Sequence, residues 1–193
     1  MSLSGIKIGF GMCGSFCTFQ KAFDSAKKLV QQGAELFPIM SFNASGISTR
    51  FGTAEENRDK LKDICSKDII DSIEGAEPIG PHKLFDILVV APCTANTLAK
   101  LALGISDTPV TMAVKSHLRN GRPVVIAVST NDALAGCAKN IGILQNYKHY
   151  YFVPYSQDNY QSKPNSVVAD FTKIGDTVAA ALDGRQLQPI MIK

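Results

Sequence analysis

Short apolar runs and amphipathic segments alternate along the first part of the chain. Residues 6–10 form an apolar run typical of a buried strand. Residues 16–32 carry apolar side chains at intervals of three and four, which predicts a helix, and Gly33 provides its C-terminal stop. Glu35–Met40 predicts a second strand, with Pro38 marking an irregularity or an edge. The chain therefore opens with a strand–turn–helix–strand unit typical of mononucleotide-binding folds.

The same alternation continues to the C-terminus. Residues 41–52 form a polar loop, and Thr53 with Glu56 makes a capping box for a helix that ends near residue 66. Pro92 is expected to end the third strand because it has no N–H to donate. Further strands are predicted at 86–91, 123–128 and 150–153, and helices at 94–103, 109–119 and 132–145. Residues 164–166 cap a final helix with the apolar stripe Val167, Phe171, Ile174, Val178 and Leu182.

This alternation predicts an α/β fold. We expect one flavodoxin-like, Rossmann-like domain over residues 1–193, with three layers around a doubly wound, mostly parallel sheet. The length and the 45% hydrophobic content allow a real core. A dispersed net charge of +3 argues against nucleic acid, and the lack of an apolar run of about 18 residues argues against a membrane span. Without a signal-like N-terminus, the expected location is cytoplasmic.

The cysteines and histidines do not predict a metal site. Five cysteines lie far apart without a CxxC pair, and an odd count without a signal peptide favours free, buried thiols. The three histidines have no ligand-like spacing with each other or with the cysteines.

The most informative stretch is residues 87–100, an apolar run that ends in polar side chains and a helical pattern. Open α/β sheets bind ligands at the carboxyl ends of their strands, where helix N-termini also offer free N–H groups. Residues 92–97 resemble the Pro-Ala-Ser-Ala-Asn-Thr motif of the flavoprotein family of phosphopantothenoylcysteine decarboxylases and flavin prenyltransferases. The resemblance implies an FMN cofactor, with Thr94, Ala95, Asn96 and Thr97 beside its isoalloxazine and ribityl groups.

A glycine-rich turn follows the first strand. Gly9, Gly11 and Gly14 fit the GxGxxG pattern. The end of the second strand lacks the acidic residue that a dinucleotide site uses for the ribose hydroxyls, so NAD is disfavoured. The turn suits a mononucleotide phosphate instead, and Gly14 and Ser15 resemble the Gly-Ser of the flavoprotein family. The resemblance places Gly14 and Ser15 at the FMN phosphate, and the next residue, Phe16, is also expected to contact the cofactor.

Two further strand ends carry polar residues. Ser41 and Asn43 follow the second strand, where family members have a Ser or Thr that contacts the flavin. Ser129 and Asn131 follow the strand at 123–128 and are expected to face the reacting site, with Ser129 also a cofactor residue. Ser15, Ser41 and Thr94 converge only if the sheet is doubly wound, which is a geometric condition that the structure must meet.

No general base is assigned, and His82 and Asn131 are the candidates for a catalytic role. The family's decarboxylases have a Pro-x-Met-Asn-x-x-Met-Trp motif after this strand. Here Asn131 has no neighbouring Met and the chain has no Trp, which counts against cysteine decarboxylation. His82 precedes a buried strand, as does the catalytic His of those decarboxylases, although the spacing differs.

A narrower resemblance covers nearly the whole chain. Segments 80–86, 105–110, 115–123, 129–132 and 163–166 resemble the family of dipicolinate synthase B subunits. The resemblance implies oxidation of dihydrodipicolinate to dipicolinate during sporulation, with a nicotinamide-binding A subunit as partner. A bound flavin supplies the two-electron acceptor that such an oxidoreductase needs. The wider family implies a trimer-based homo-oligomer. A dicarboxylate substrate needs cationic groups, and the candidates by charge are Arg50, Lys115, His117, Arg119 and Lys163.

Three alternatives differ in class. The chain could be a flavin-dependent decarboxylase or prenyltransferase of the same family, which release of carbon dioxide from phosphopantothenoylcysteine would support. It could be a non-catalytic regulatory subunit, which full dipicolinate synthesis by the A subunit alone would support. It could be a nicotinamide dehydrogenase, which tight NADPH binding without flavin would support.

Overall fold

The apolar runs of the sequence become the strands of one central sheet. The protein is described here by a computed structural model that covers residues 2–192. The strands are β1 (Lys7–Met12), β2 (Glu35–Met40), β3 (Ile87–Cys93), β4 (Val124–Thr130), β5 (Tyr150–Phe152), β6 (Tyr155–Gln157) and β7 (Val167–Ala169).

The sheet is doubly wound. β1 lies between β2 and β3, β4 follows β3, and β5 pairs with β4, all in parallel. The resulting order, β2-β1-β3-β4-β5, reverses direction between β1 and β3, which is the flavodoxin-like arrangement. β7 and β6 add an antiparallel extension at the carboxyl end of β4. The predicted fold class is therefore confirmed.

Eight helices are described within residues 2–192. Several start where a hydroxyl side chain accepts a hydrogen bond from the first turn, and the predicted capping box of Thr53 and Glu56 is present. The helices are α1 (Phe19–Gln31), α2 (Phe42–Gly46), α3 (Ala54–Cys65), α4 (Ile73–Ala76), α5 (Ala95–Ala102), α6 (Pro109–Leu118), α7 (Ala138–Asn146) and α8 (Ile174–Leu182). None is long and apolar enough to cross a bilayer.

Two apolar cores lie on the two faces of the sheet. Ile87 and Val89 of β3 point into a core formed with α1, α3 and α8, whereas Leu88 and Val90 point into a core formed with α5, α6 and α7. This alternation along a strand that is buried throughout explains its continuous apolar sequence. The layers are helix, sheet and helix.

The last predicted helix begins later than its apolar stripe indicated. Val167–Ala169 is a strand, and α8 starts only at Ile174, after a 3-10 turn at Phe171–Lys173. Ser166 therefore caps no helix, and Asp170 accepts the N–H of Thr172 instead. The reason is tertiary: the end of β4 extends beyond β5 and offers free backbone groups, which β7 satisfies.

Three boundaries also differ from the sequence predictions. β3 continues through Pro92 to Cys93, with a register shift between Val90 and Cys93, so Pro92 does not end the strand. The carbonyl of Pro92 accepts the N–H of Cys13 at 3.1 Å and thereby ties the end of β3 to the end of β1. The polar loop at 41–52 contains the short helix α2, and the helix predicted at 132–145 starts only at Ala138.

Candidate functional site

The carboxyl ends of β1, β2, β3 and β4 meet at one edge of the sheet and enclose two adjoining cavities. The larger, called here the recess, has a volume of about 760 Å³. The smaller, the side cavity, measures about 440 Å³ and shares Gly14, Thr94 and Asn96 with the recess. The recess is also lined by Ser15, Phe16, Cys17, Thr49, Arg50, Phe51, Ala95, Ser129, Thr130, Asn131, Asp132, Asp158, Lys163, Ser166 and Val168.

The turn after β1 presents unpaired backbone donors to the recess. The N–H of Ser15 bonds to the carbonyl of Cys13 at 2.8 Å, and that of Thr18 bonds to the carbonyl of Ser15 at 3.0 Å. Within residues 2–192, no acceptor is found for the N–H groups of Gly14, Phe16 and Cys17. Several N–H groups converging at the start of a helical segment form an anion-binding site.

Only the last glycine of the GxGxxG pattern lies in this turn. Gly9 and Gly11 are inside β1, and a Cβ on Gly9 would come within 2.5 Å of the Phe85 ring. Gly9 is therefore required by the packing of Phe85 against the sheet rather than by a phosphate. The pattern is not a dinucleotide fingerprint in this chain.

A buried hydroxyl network fixes Ser15. The Oγ of Ser129, at the end of β4, lies 2.9 Å from the Oγ of Ser15 and 3.2 Å from the Oγ1 of Thr18. Ser129 is only 3% exposed, so these neighbours account for its polar atom. Ser129 thus fixes the position of the Ser15 side chain at the recess through this hydrogen bond.

The ends of β2 and β3 carry capping residues. The Oγ of Ser41 accepts the N–H of Ala44 at 3.2 Å, and the Oγ1 of Thr94 accepts the N–H of Thr97 at 3.4 Å. The accepting hydroxyl of Ser41 keeps its own hydrogen for donation to a ligand, whereas the hydroxyl of Thr94 lies 3.2 Å from the Oγ1 of Thr97 and donates to it. The hydroxyl of Thr97 donates to the Sγ of Cys13 at 3.2 Å, which ties α5 to the end of β1.

All ten residues expected at the cofactor lie at this edge. Gly14, Ser15, Phe16, Thr94, Ala95, Asn96 and Ser129 line the recess, while Ser41, Asn43 and Thr97 line the side cavity. The condition that Ser15, Ser41 and Thr94 converge at one edge is met, because the two cavities adjoin and Thr94 lines both. Asn131 also lines the recess, and it is exposed there.

His82 does not belong to the site. It is exposed and lies in the turn before β3, toward the amino end of that strand, and it lines neither cavity. Its position in the sequence, before a buried strand, places it at the edge of the sheet opposite the recess. The interpretation of His82 as a catalytic candidate is therefore corrected.

Only two of the five candidate cations border the recess, namely Arg50 and Lys163. Lys115 is on α6 with its Nζ 3.3 Å from Ser106 Oγ, and Arg119 is exposed at the end of that helix. His117 is 1% exposed, and burial lowers its pKa to about 4 despite a 3.1 Å hydrogen bond with the carbonyl of Pro123. His117 is therefore neutral at pH 7 and is buried in the core.

Four of the five cysteines are buried, as expected, and Cys17 is the exception. Burial raises the pKa of Cys13 to about 11, more than the hydrogen bond from Thr97 lowers it. Cys13 is therefore a protonated thiol rather than a nucleophile. Cys17 is exposed at the recess, 4.0 Å from the Oγ of Ser15. All five are free thiols.

Several lining residues were missed in the sequence. Asp158, Ser166 and Val168 come from the antiparallel extension, which the sequence presented as a loop and a helix. Phe51 and Asp132 follow strand ends by several residues, where only the folded loops show what they face. The Oδ1 of Asp132 accepts the hydroxyl of Thr130 at 2.6 Å.

A third cavity of about 800 Å³, called here the apolar groove, lies away from these strand ends. It is built from the C-terminal ends of α5 and α7, one face of α6 and the chain entering β5. Its wall includes the exposed side chains of Leu103, Ile105 and Tyr147. We assign the functional site to the recess and not to the groove, because converging donors and acceptors identify a site better than volume does.

Comparison with known proteins agrees with this geometry. The family model named Flavoprotein matches residues 1–182. The chain belongs to the Flavoprotein family. The B subunit of dipicolinate synthase from Bacillus subtilis (strain 168) is 44% identical to this flavoprotein over 192 residues, covering 100% of the chain and 96% of the relative.

Two solved structures have folds similar to that of this flavoprotein. The crystal structure of the dipicolinate synthase B subunit from Bacillus halodurans has a TM-score of 0.92 and 42% identity, covering 100% of this chain and 99% of the other. The FMN-dependent cysteine decarboxylase SpaF has a TM-score of 0.72 at 22% identity, covering 94% and 98%. At that identity the second likeness shows the fold alone.

Proposed function

We propose that this flavoprotein is the FMN-binding B subunit of a dipicolinate synthase, with residues 1–193 as a single domain. The proposal rests on the full-length similarity to two such subunits. In this role it takes part in the oxidation of dihydrodipicolinate to dipicolinate during sporulation. The B designation implies an A subunit as its partner.

The observation that carries the proposal is the set of unpaired N–H groups at Gly14, Phe16 and Cys17. A monoester phosphate carries two negative charges near neutral pH, and converging backbone donors bind it without a counter-ion. The Oγ of Ser15, held by Ser129, adds a hydroxyl donor at the same turn. The ligand chemistry of this turn therefore fits the phosphate of FMN.

The rest of the cofactor would extend along the strand ends. β1 and β3 flank the position where the strand order reverses, which is where open α/β sheets bind their ligands. Thr94 and Asn96 line both cavities and Ala95 lines the recess, so these residues suit the ribityl and ring atoms. Ser41 and Asn43 approach from β2. When bound, the flavin supplies a two-electron acceptor.

The chain's own residues then orient the substrate. Asn131 and Asp132 stand at the end of β4 beside Ser129, within the recess that would hold the flavin. An amide can orient a substrate by hydrogen bonds, and a carboxylate can accept a proton from it. Asn131 stays the catalytic candidate in this proposal.

We further propose that the protein is cytoplasmic and assembles into a trimer-based homo-oligomer. A dodecameric UbiX-like decarboxylase from Escherichia coli O157:H7 has a TM-score of 0.63 at 21% identity, so an enzyme with a similar fold forms a homo-oligomer. The large exposed apolar side chains Leu103, Tyr160 and Met191 are compatible with contacts between copies.

The deciding experiment measures FMN retention. Purified protein is incubated with FMN, desalted and examined by visible absorption, in parallel with Ser15→Ala. The native protein should retain the bands of oxidised flavin, and the variant should bind FMN about tenfold more weakly because a phosphate donor is lost. Full retention by the variant, or no retention by the native protein, would contradict the site.

A second measurement addresses the reaction. The FMN-loaded protein is combined with the A subunit and dihydrodipicolinate, and dipicolinate formation is followed. A rate that requires both subunits supports the proposal. The same rate from the A subunit alone would favour a regulatory role, and release of carbon dioxide from phosphopantothenoylcysteine would favour a decarboxylase.

A further inference from the structure

The recess holds a second polar region beyond the phosphate turn, formed by Arg50, Phe51 and Lys163. We propose that these three residues recognise the substrate as a planar ring that carries two carboxylates. The inference rests on the proposed function, since it assigns the substrate side of the same site.

Arg50 and Phe51 are presented by a small ordered hairpin. Thr49 and Gly52 exchange both backbone hydrogen bonds, at 3.0 and 3.2 Å, so residues 50 and 51 form its tip. The N–H of Phe51 also donates to the Oγ1 of Thr49 at 3.1 Å. Gly52 has a φ of +133°, a conformation that a side chain would strain. The tip is therefore held in place at the wall of the recess.

Arg50 carries a charge that nothing in the fold neutralises. Within residues 2–192, no carboxylate forms an ion pair with Arg50, whereas most other arginines have one, including Arg58 with Asp71. Its guanidinium carbon lies 4.9 Å from the centre of the Phe51 ring, so its neighbour is an aromatic face. A guanidinium fork left open at a cavity wall suits a bidentate carboxylate.

Lys163 supplies the second cation. It pairs with Asp158 at 3.0 Å, and this hydrogen bond raises its pKa, so the ammonium stays protonated. An ammonium has three donors, and the bond to Asp158 uses one. The loop between the two is ordered by Asn159, whose Oδ1 accepts the N–H groups of Gln161 and Ser162.

The recess is lined by two cations, Arg50 and Lys163, and two acids, Asp132 and Asp158. Asp158 pairs with Lys163, whereas Asp132 accepts the hydroxyl of Thr130, so neither acid is paired with Arg50. Arg50 and the remaining donors of Lys163 are therefore open to two carboxylates. Phe51 is half exposed and offers a flat apolar surface, which favours an unsaturated ring over a flexible chain.

The test measures the binding of dipicolinate, a stable planar dicarboxylate, by calorimetry in metal-free buffer. Arg50→Gln should weaken binding about tenfold or more, because a charge-assisted hydrogen-bonded pair is lost. Arg50→Lys should bind dipicolinate more tightly than Arg50→Gln but more weakly than the native protein, since an ammonium cannot bind a carboxylate bidentately. Phe51→Leu should weaken binding about threefold.

The matched control is Lys148→Gln, which removes one exposed positive charge at the rim of the apolar groove. It should leave dipicolinate affinity unchanged. Equal weakening by Lys148→Gln would show a general charge effect and overturn the inference, as would unchanged affinity of Arg50→Gln.

A comparison of ligands sharpens the assignment. Picolinate, with a single carboxylate, should bind the native protein about tenfold more weakly than dipicolinate, and Arg50→Gln should reduce that difference. If dipicolinate and picolinate affinities differ by the same factor in Arg50→Gln as in the native protein, the role of Arg50 is overturned.

FMN retention is measured on the same preparations. Retained FMN with unchanged dipicolinate binding in Arg50→Gln refutes this inference alone, whereas loss of FMN by the native protein refutes the proposed function.

Discussion

The recess and the apolar groove have nearly equal volumes, about 760 and 800 Å³, but they stand at opposite ends of their helices. The recess and its side cavity receive the N-terminal ends of α2 and α5, capped by Ser41 and Thr94. The groove receives the C-terminal ends of α5 and α7 and one face of α6. The first end presents N–H donors and the second presents carbonyls, so only the recess favours an anion.

The side chains follow the same division. The recess is lined by hydroxyl, amide and carboxylate groups together with Arg50 and Lys163, whereas Leu, Ile, Val and Tyr side chains line much of the groove, which Lys115, Lys148 and His149 also line. Basic residues near helix C-termini complement the carbonyl ends there. The size of a cavity is therefore a poor guide to function in this fold, and the direction of its helices is a good one.

The largest effect is expected from a negative charge in the phosphate turn. Ser15→Asp keeps a good N-cap side chain but puts a carboxylate at the unpaired N–H groups, so FMN affinity should fall at least about a hundredfold. The matched change in the groove, Ser106→Asp, should leave FMN affinity unchanged. Equal losses in both variants, measured by flavin fluorescence titration, would remove the distinction between the two cavities.

The next effect is a pH dependence on the groove side of the sheet. Burial lowers the pKa of His117 from 6.5 to about 4, so the unfolded chain binds a proton that the folded chain resists. Stability should therefore fall as the pH drops from 6.5 through about 4, by at most about 3 kcal/mol.

Urea unfolding of the native protein and of His117→Gln isolates this contribution. The variant keeps a polar group near the carbonyl of Pro123 but does not titrate. Its stability should depend less on pH across this interval. Parallel pH profiles for the two proteins would exclude His117 as the source.

A smaller effect is expected from Ser129. Ser129→Ala removes the hydrogen bonds to Ser15 and Thr18, so FMN affinity should fall about fivefold and stability by about 1 kcal/mol. The double variant Ser15→Ala/Ser129→Ala should lose little more FMN affinity than Ser15→Ala, because Ser129 acts through Ser15. Additive losses would instead show that Ser129 contacts the cofactor directly.

The smallest effect is expected at the groove wall. Leu103 is 70% exposed, so Leu103→Gln should change stability by less than about 0.5 kcal/mol and leave FMN affinity unchanged. A large loss of FMN affinity, determined by the same titration, would mean that the groove belongs to the cofactor site.

The sequence predicted the parallel core and the position of the turn after β1 because both depend on local patterns. β3 is apolar throughout since both of its faces are buried, and the caps Thr53 and Thr94 precede their helices directly. The antiparallel extension was missed because Val167–Ala169 fits a helical stripe as well as a strand, and only pairing with β4 decides between them.

Dependence on tertiary contacts also limited the prediction of the site residues. Residues that follow a strand end, such as Ser15 and Ser41, could be placed from topology alone. The pairing of Lys163 with Asp158 and the exposed tip at Arg50 depend on loop conformations that have no periodic signal. His82 precedes β3, so the sequence order already put it at the amino end of that strand, and it became a candidate through the resemblance to the decarboxylase histidine.

The position of Ser129 has a thermodynamic consequence. Its side chain holds Ser15, while its backbone lies opposite Val168 of β7, in the extension that leads back to Lys163. One residue thus joins the turn that we propose binds the phosphate to the segment that carries Lys163. Binding of FMN should therefore increase the affinity for the substrate, and thermodynamic linkage requires that binding of the substrate increases the affinity for FMN by the same factor.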